Sequence, residues 1–268
     1  MQDFNFKKKF GQNFISDTNL LKAIVRDAGV ESQDEVLEIG PGAGTLTKEL
    51  CEKAKKVVSF EIDTELRPIL EEKLSGYSNS IIVFKDFMKS TEEEISSYFD
   101  SKISVVANIP YYITTPIIFK LLESSLNLKN ITIMIQKEVA NRLVAKEGTS
   151  DYGAITAIIN TLCDVKLTRI VNRNMFTPSP NVDSAIVRMD INKNKYQIDN
   201  MEVFRKTVTS AFKMRRKTLF NNLKSDFNFS SEQIIDLLTS CGLDVKIRGE
   251  KLSCQDFVNL SNLINRIS

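Results

Sequence analysis

Short apolar runs alternate with amphipathic segments along the first half of the chain. Each run is rich in Val and Ile, and the five runs occupy residues 35–40, 56–62, 81–86, 103–108 and 131–136. Continuous apolar runs of this length are typical of strands that are buried on both faces. Their alternation with helical patterns predicts βαβ units and an α/β fold with a doubly wound, mostly parallel sheet.

Two further strand patterns follow a helical region, at residues 164–171 and 183–191. The loop that separates them, 172–182, contains two prolines. A connection of this kind predicts that the two strands are antiparallel to each other and lie at one edge of the sheet.

The last quarter of the chain has a different pattern. Residues 192–200 are polar and typical of a linker, and only helical patterns follow them. We therefore predict two domains, a sheet domain of residues 1–192 and a small helical domain of residues 193–268. Ser230 precedes Gln233 by three residues, which predicts a helix start close to a capping box.

The composition limits the class of protein. Hydrophobic residues make up 42% of the 268 residues and charged residues 26%, as in ordinary soluble domains. No stretch approaches the ~18 uncharged apolar residues that span a bilayer. The charged start of the chain is not followed by the apolar segment of a signal peptide. We therefore expect a cytoplasmic protein that does not bind membranes.

Reactive side chains are of few types. The chain has no histidine, and its four cysteines include no Cys-x-x-Cys pair. This argues against a zinc site or a disulfide framework, and we expect no metal. Ser-His and Cys-His nucleophiles are excluded as well. The chemistry must therefore use amides, carboxylates, backbone groups or a cofactor.

Basic residues are clustered although the net charge is only +2. Residues 205–224 contain seven basic side chains and no acidic one, and residues 166–173 contain three more. A third cluster comprises Lys7, Lys8 and Lys9. Each cluster alone is typical of a solvated surface, but together they indicate a face that binds a polyanion.

Three glycines follow the first strand pattern and precede a helical pattern. Gly40, Gly42 and Gly44 would let the backbone turn sharply and approach a ligand closely. Glu61 ends the second strand pattern, where doubly wound folds place an acid on a ribose diol. The third glycine comes one residue too early for the dinucleotide fingerprint. The spacing resembles instead the first motif of S-adenosylmethionine-dependent methyltransferases.

Asp86 ends the third strand pattern and should lie at the same carboxyl edge of the sheet. Its carboxylate could accept a hydrogen bond from the exocyclic amine of a cofactor's adenine. The alternative role for Asp86 is that of a helix N-cap.

The fourth strand pattern ends at Asn108 and is followed by Ile109, Pro110 and Tyr111. The Asn108 amide oxygen and the Ile109 carbonyl are neutral acceptors for an adenine N6 amine. Such acceptors would favour a pyramidal nitrogen aimed at a methyl donor. Pro110 would stiffen the turn, and Tyr111 could stack on the base. An ordinary strand-to-helix turn is the alternative, and the glycine turn upstream argues against it.

Several longer segments carry a family resemblance. They are "KKKFGQNFI", "LEIGPGAGTLT", "FEID", "NIPYYITTPIIFKLL", "MIQKEVANRLVA", "FTPSPNVDSAIVR" and "AFKMRRKTLFNNL". With these motifs the chain resembles, over nearly its whole length, the KsgA (RsmA) family of ribosomal RNA adenine dimethyltransferases. The Erm methyltransferases are relatives of that family. The resemblance implies a Rossmann-like methyltransferase sheet and S-adenosyl-L-methionine as the cofactor.

The resemblance also implies roles for individual residues. The implied cofactor contacts are Asn13, Ile15, Gly40, Glu61, Asp86 and Asn108. The implied catalytic residues are Asn108, Ile109, Pro110, Tyr111 and Phe176, with Phe176 stacking on the second face of the target adenine. Because Phe176 lies in a proline-rich segment, we expect that it is not deeply buried. Our candidates for RNA contacts are Lys7, Lys8, Lys9, Arg215, Arg216 and Lys217.

The activity that the resemblance implies is methyl transfer to N6 of two adjacent adenosines near the 3′ end of 16S rRNA. Each adenosine would be dimethylated in the 30S subunit or its precursor, by a monomeric enzyme with a role in subunit biogenesis. One alternative is an Erm-type enzyme that acts on 23S rRNA. A second alternative is a ribosome-assembly factor without catalytic activity.

Overall fold

The computed structural model describes residues 14–15 and 17–267. These residues form nine strands and eleven α-helices, which mostly alternate up to the last strand and are followed by four helices. The strands are β1 Phe14–Ile15, β2 Glu35–Ile39, β3 Lys56–Glu61, β4 Ser80–Phe84, β5 Ile103–Asn108, β6 Leu128–Gln136, β7 Cys163–Val171, β8 Phe176–Thr177 and β9 Ser184–Ile191. The helices are α1 Thr18–Asp27, α2 Thr45–Cys51, α3 Arg67–Leu74, α4 Glu92–Ser96, α5 Thr114–Glu123, α6 Lys137–Leu143, α7 Ala154–Leu162, α8 Met201–Lys213, α9 Leu219–Asp226, α10 Ser231–Ser240 and α11 Cys254–Ile267.

Two structural units divide the chain. The first comprises the described residues up to Ala140 together with Lys166–Ile191. The second comprises Asn141–Val165 and the described residues from Asn192 onward. The second unit therefore includes a segment that precedes the last strands of the sheet. The division into functional domains of residues 1–192 and 193–268 stays a prediction.

Seven strands form the main sheet, in the order β4-β3-β2-β5-β6-β9-β7. The pairs β2–β3, β2–β5, β3–β4 and β5–β6 are parallel, whereas β6 and β9 are antiparallel. Every residue of β2 is buried, as expected for a central strand covered on both faces. The predicted fold class, a doubly wound and mostly parallel sheet with an antiparallel edge and C-terminal helices, is confirmed.

The register of the central strands decides which residues meet at the carboxyl edge. Ile39, the last residue of β2, pairs with Phe60 on one side and with Ala107 on the other. The residues that follow these three in the chain are therefore at the same level. Those residues are Gly40, Glu61 and Asn108, which the sequence pattern selects.

One face of the sheet packs on the first two helices. Val36, Val106 and Ile186 from the strands contact a core that includes Ile24 of α1 and Leu46 of α2. A smaller apolar cluster lies under α3 and comprises Leu66, Leu70 and Leu74. Burial of such side chains stabilises the sheet by about 1.5–3 kcal/mol for each fully buried residue, and it fixes the loops at the carboxyl edge.

The second unit is helical apart from the first residues of β7. Its core includes Phe204 of α8 and Phe257 of α11, both fully buried. Helix α10 starts at the predicted position, because Ser230 is its N-cap and forms a capping box with Gln233. None of the helices described is long and apolar enough to cross a membrane.

Candidate active site

A cleft opens at the carboxyl edge of β2, β3 and β5, within the first unit. It is lined by most of the residues that the sequence selects for the cofactor and the target base: Ile15, Gly40, Glu61, Asp86, Asn108, Ile109, Pro110, Tyr111 and Phe176. Four other candidates, Lys7, Lys8, Lys9 and Asn13, lie outside the described residues. The parallel register thus brings the predicted cofactor contacts and the predicted catalytic residues, which are far apart in sequence, into one cavity.

The glycine turn leads from β2 into α2. Gly40, Gly42 and Gly44 have φ angles of 72°, 57° and 73°, in the left-handed region that favours glycine. A Cβ at Gly44 would lie 2.9 Å from Leu70 Cδ2, so this glycine allows α2 and α3 to pack. A Cβ at Gly40 would meet nothing closer than Ile109 Cγ2 at 4.0 Å. Gly40 therefore leaves its backbone accessible from the cleft, and Gly42 lines the same cleft.

Glu61 is buried at the end of β3 and is held by the backbone. Its Oε2 accepts a hydrogen bond from Gly42 N at 3.1 Å, and its Oε1 accepts one from Asp63 N at 2.8 Å. Burial raises the pKa of the Glu61 carboxyl, while these two backbone donors oppose the shift. Each carboxylate oxygen can accept a second hydrogen bond, so the group is oriented to receive two hydroxyl donors.

Glu38 is a second buried acid in the cleft wall, and the sequence analysis did not select it. Ser59 Oγ donates to its Oε2 at 2.7 Å. Its Oε1 is buried and has no hydrogen-bond partner among the residues that the structure describes. Burial raises the pKa of Glu38 to about 7, while the Ser59 and Thr47 hydroxyls oppose the shift and the nearby charge of Glu61 adds slightly to it. An acid inside the apolar run "VLEIG" was the sequence signal that could have identified it.

Asp86 has the N-cap role that the sequence left open, and it also lines the cleft. Its Oδ1 accepts a hydrogen bond from Met88 N at 2.9 Å, at the start of the 3₁₀ turn Phe87–Lys89. The cap fixes the carboxylate at the cleft wall, so the N-cap role is compatible with a ligand contact.

The turn after β5 is stiff. Pro110 has φ −56°, and its carbonyl accepts hydrogen bonds from Ile113 N at 3.2 Å and from Thr114 Oγ1 at 3.4 Å. These hydrogen bonds span the 3₁₀ turn Tyr111–Ile113 and connect it to the first residue of α5. The turn therefore holds Asn108 and the Ile109 carbonyl at a defined position on the sheet edge.

Tyr111 is tied to a distant strand. Its hydroxyl lies 2.7 Å from Ser184 Oγ, and Ser184 is a fully buried residue at the start of β9. Burial raises the pKa of the Tyr111 phenol, so the phenol is neutral at physiological pH. No pattern in the sequence indicates the contact with Ser184, because the two residues are 73 positions apart.

Phe176 lies in the cleft wall but is only 4% exposed, so the expectation that it is not deeply buried is wrong. The cause is β8, which pairs antiparallel with β1 and places Phe176 opposite Ile15. This short ladder holds the proline-rich segment against the core, and the aromatic ring packs with the apolar cluster around α1.

The candidate RNA contacts of the second unit follow α8. Arg215, Arg216 and Lys217 are all exposed. The Arg215 guanidinium also has a structural role, since its Nη2 donates to the carbonyls of Ser150 at 2.8 Å and Tyr152 at 3.2 Å.

The basic cluster of residues 166–173 belongs to the first unit, and two of its three basic side chains are paired with acids. Arg169 forms an ion pair with Asp27 at 2.8 Å, and Lys166 lies 3.9 Å from Asp190. These pairs reduce the net positive charge that the cluster presents to a polyanion.

A doubly wound sheet whose carboxyl edge carries a glycine turn, a buried carboxylate and a neutral amide is typical of a Rossmann-like S-adenosylmethionine-dependent methyltransferase. A sequence model of the family described as "Ribosomal RNA adenine dimethylase" matches residues 3–266. The chain belongs to this family. The predicted family, enzyme class and cofactor are thereby confirmed.

Curated relatives match over nearly the whole chain. "Ribosomal RNA small subunit methyltransferase A" of Clostridium acetobutylicum is 44% identical over 265 residues, which are 98% of this chain and 95% of that protein. The protein of the same name from Bacillus mycoides is 46% identical over 268 residues, covering 97% of this chain and 92% of the relative.

Solved structures show the same fold. A dimethyladenosine transferase from Plasmodium falciparum superposes with a TM-score of 0.82 at 29% identity, covering 94% of this chain and 98% of that one. The 23S rRNA methyltransferase ErmE superposes with a TM-score of 0.72 at 27% identity, covering 94% of this chain and all of that one.

Proposed function

We propose that this protein transfers methyl groups from S-adenosylmethionine to N6 of two adjacent adenosines near the 3′ end of 16S rRNA, in the 30S subunit or its precursor. Each adenosine receives two methyl groups. The observation that carries the proposal is the cleft in which the Gly40 turn and Glu61 meet the Asn108–Tyr111 turn. The names and the 44–46% identity of the curated relatives support the small subunit as the substrate.

The residues of the cleft fit the cofactor. Glu61 is oriented to accept from the two ribose hydroxyls, and Gly40 and Gly42 leave room for close backbone approach. Glu38 offers a buried oxygen without a partner among the described residues, suited to a donor group of the cofactor. When bound, S-adenosylmethionine supplies an electrophilic methyl group. We propose Ile15, Asp86 and Asn108 as further cofactor contacts, and also Asn13, which lies outside the described residues.

Asn108 and Ile109 act on the target amine. The lone pair of adenine N6 is delocalised into the ring, so the amine is a weak nucleophile. Two neutral acceptors, the Asn108 side-chain oxygen and the Ile109 carbonyl, take hydrogen bonds from the amine and orient its lone pair towards the methyl group. The proton that the nitrogen loses passes to water after transfer. No histidine base is required, consistent with a chain that has none.

Tyr111 and Phe176 hold the target base between them. Stacking on an aromatic ring stabilises an unstacked base by about 1–3 kcal/mol. The hydrogen bond with Ser184 fixes the Tyr111 ring, and the β1–β8 ladder fixes the Phe176 ring, so both rings are ordered before RNA binds.

The second candidate function is methylation of 23S rRNA, favoured by the structural similarity to ErmE. The lower identity to ErmE, 27% against 44–46% for the small-subunit relatives, argues for the first candidate. A ribosome-assembly role can accompany catalysis. We further propose that the enzyme is a cytoplasmic monomer and that Lys7, Lys8, Lys9, Arg215, Arg216 and Lys217 contact RNA phosphates.

Tritium transfer from labelled S-adenosylmethionine to 30S and 50S particles, assayed side by side, tests the proposal. We expect label in 16S rRNA, lost in the Asn108→Ala variant, which should still bind the particle. Label in 23S rRNA would establish the Erm-type function instead. Binding to 30S particles without any label would favour the non-catalytic assembly factor.

A further inference from the structure

Two consecutive tyrosines in the turn after β5 have opposite environments. Tyr111 is half-buried, and its hydroxyl is held by Ser184 at 2.7 Å. Tyr112 is 68% exposed, although it also lines the cleft. A large aromatic side chain that remains this exposed contributes little to the core, and at the rim of the active site its ring face is open to stacking by a base.

The backbone that carries Tyr112 is fixed. Both hydrogen bonds to the Pro110 carbonyl, from Ile113 N and from the Thr114 hydroxyl, span this residue. The Tyr112 hydroxyl itself makes no hydrogen bond within the described part of the chain. The ring is therefore presented to solvent from a rigid turn, as a stacking surface at the rim of the cleft would be.

We propose that Tyr112 is the stacking platform for the nucleotide next to the target adenosine, an inference that rests on the proposed function. Consecutive Cα atoms are about 3.8 Å apart, so the two phenols extend from nearly one point. Tyr111 faces the base inside the cleft, and Tyr112 faces its neighbour in the same strand at the rim.

A substrate with two adjacent adenosines suits this pair of rings. While one adenine occupies the cleft, the other offers a purine face to Tyr112. Aromatic platforms tolerate any base, so Tyr112 would add affinity and register rather than strict sequence recognition. The RNA strand runs through the site in one direction. Tyr112 can therefore stack only on the nucleotide at one side of the target adenosine, either the 5′ or the 3′ side.

The test uses 30S particles whose RNA carries both adenosines, or an abasic ribose in place of one or the other. Single-turnover transfer to each remaining adenosine is measured for the wild type and Tyr112→Ala. We expect the variant to slow transfer by about tenfold at the position for which the second adenosine is the neighbour on Tyr112. That difference should shrink to less than about twofold when the neighbour is abasic.

Two further variants separate stacking from damage to the fold. Tyr112→Phe keeps the ring and should restore the dependence on the neighbouring base, whereas Tyr112→Leu should not. Ile170→Ala removes another exposed apolar side chain of the same unit and should not alter that dependence. Affinity for S-adenosylhomocysteine should be equal in all variants.

The outcomes distinguish this inference from the proposed function. If the wild type transfers methyl groups but the effect of Tyr112→Ala is the same beside adenine and beside an abasic ribose at both positions, the platform is refuted. If the wild type does not label 16S rRNA, the proposed function itself fails.

Discussion

At the scale of single residues, the cleft combines buried acids with neutral acceptors. Glu38 and Glu61 are both buried at the ends of neighbouring strands, and burial raises the pKa of each. Glu61 is compensated by two backbone N–H donors, whereas Glu38 is compensated only by side-chain hydroxyls, those of Ser59 and Thr47. Glu38 is therefore the residue of the cleft from which we expect the largest pH dependence of stability.

We predict that Glu38 makes the free enzyme less stable as pH rises from about 5 to 7. The native pKa of about 7 lies above the ordinary value of 4.5, so the folded state retains a proton that the unfolded state has lost. The stability contribution is thus greatest at low pH, falls through this window and is constant above it. The total change is about 3 kcal/mol.

Urea denaturation of the wild type and Glu38→Gln at pH 5, 6, 7 and 8 measures this effect. The difference in unfolding free energy between the two proteins should change in favour of Glu38→Gln as pH rises. Taking the difference removes the contributions of titratable groups that do not interact with Glu38, whereas Glu61 and Cys51, which do interact with it, still contribute to the change. A difference that is independent of pH would show that Glu38 is ionised throughout.

Ser184 is predicted to act through Tyr111. Ser184→Ala and Tyr111→Phe each remove the same 2.7 Å hydrogen bond, so each should slow single-turnover transfer by an amount equivalent to about 0.5–1.5 kcal/mol. Because the bond is shared, the double variant should be no slower than the slower single variant. Additive effects in this double-mutant cycle would mean that Ser184 does not position the ring. Ser184→Thr, which keeps a hydroxyl, serves as the conservative comparison.

At the scale of elements, local signals decide helix ends. In α10, Ser230 Oγ accepts from Gln233 N at 3.2 Å, and Gln233 Oε1 accepts from Ser230 N at 2.8 Å. We predict that Ser230→Ala destabilises this helix by about 1 kcal/mol, because a backbone donor loses its partner. Hydrogen exchange of the α10 amides should accelerate about fivefold. Ser240→Ala, an exposed change at the other end of the helix, should leave exchange of the first turn unaltered.

The sequence predicts those strands and helices that are long enough to show a periodic pattern of apolar residues. Apolar runs identify the central strands, and the order of parallel strands then brings Gly40, Glu61 and Asn108 together. The β1–β8 ladder is not predictable in this way, because each strand has two residues and so no periodicity. The burial of Phe176 follows from that ladder, and the Tyr111–Ser184 contact depends on packing across the sheet. Both lie beyond what local patterns contain.

At the scale of the whole molecule, the RNA partner should depend on charges outside the cleft. Seven basic residues lie between Arg205 and Lys224, but several have structural roles within the second unit. Lys213 pairs with Asp226, and Lys206 lies over the Phe227 ring at 4.4 Å. Arg215 donates to the carbonyls of Ser150 and Tyr152. Reversing the charge of Arg215 would therefore perturb a turn as well as RNA binding.

Arg216 offers the cleaner test of the phosphate contacts. Phosphate contacts set affinity and register but carry little base information. We predict that Arg216→Glu weakens binding to 30S particles and reduces the slope of log affinity against log salt by about one unit. Lys53→Glu, which reverses an exposed charge in the first unit, is the matched control and should leave the slope unchanged.

Affinity for S-adenosylhomocysteine should be the same in both variants, since neither residue lines the cleft. An unaltered slope in Arg216→Glu would place the phosphate contacts elsewhere, and Lys7, Lys8 and Lys9 would then be the next residues to reverse.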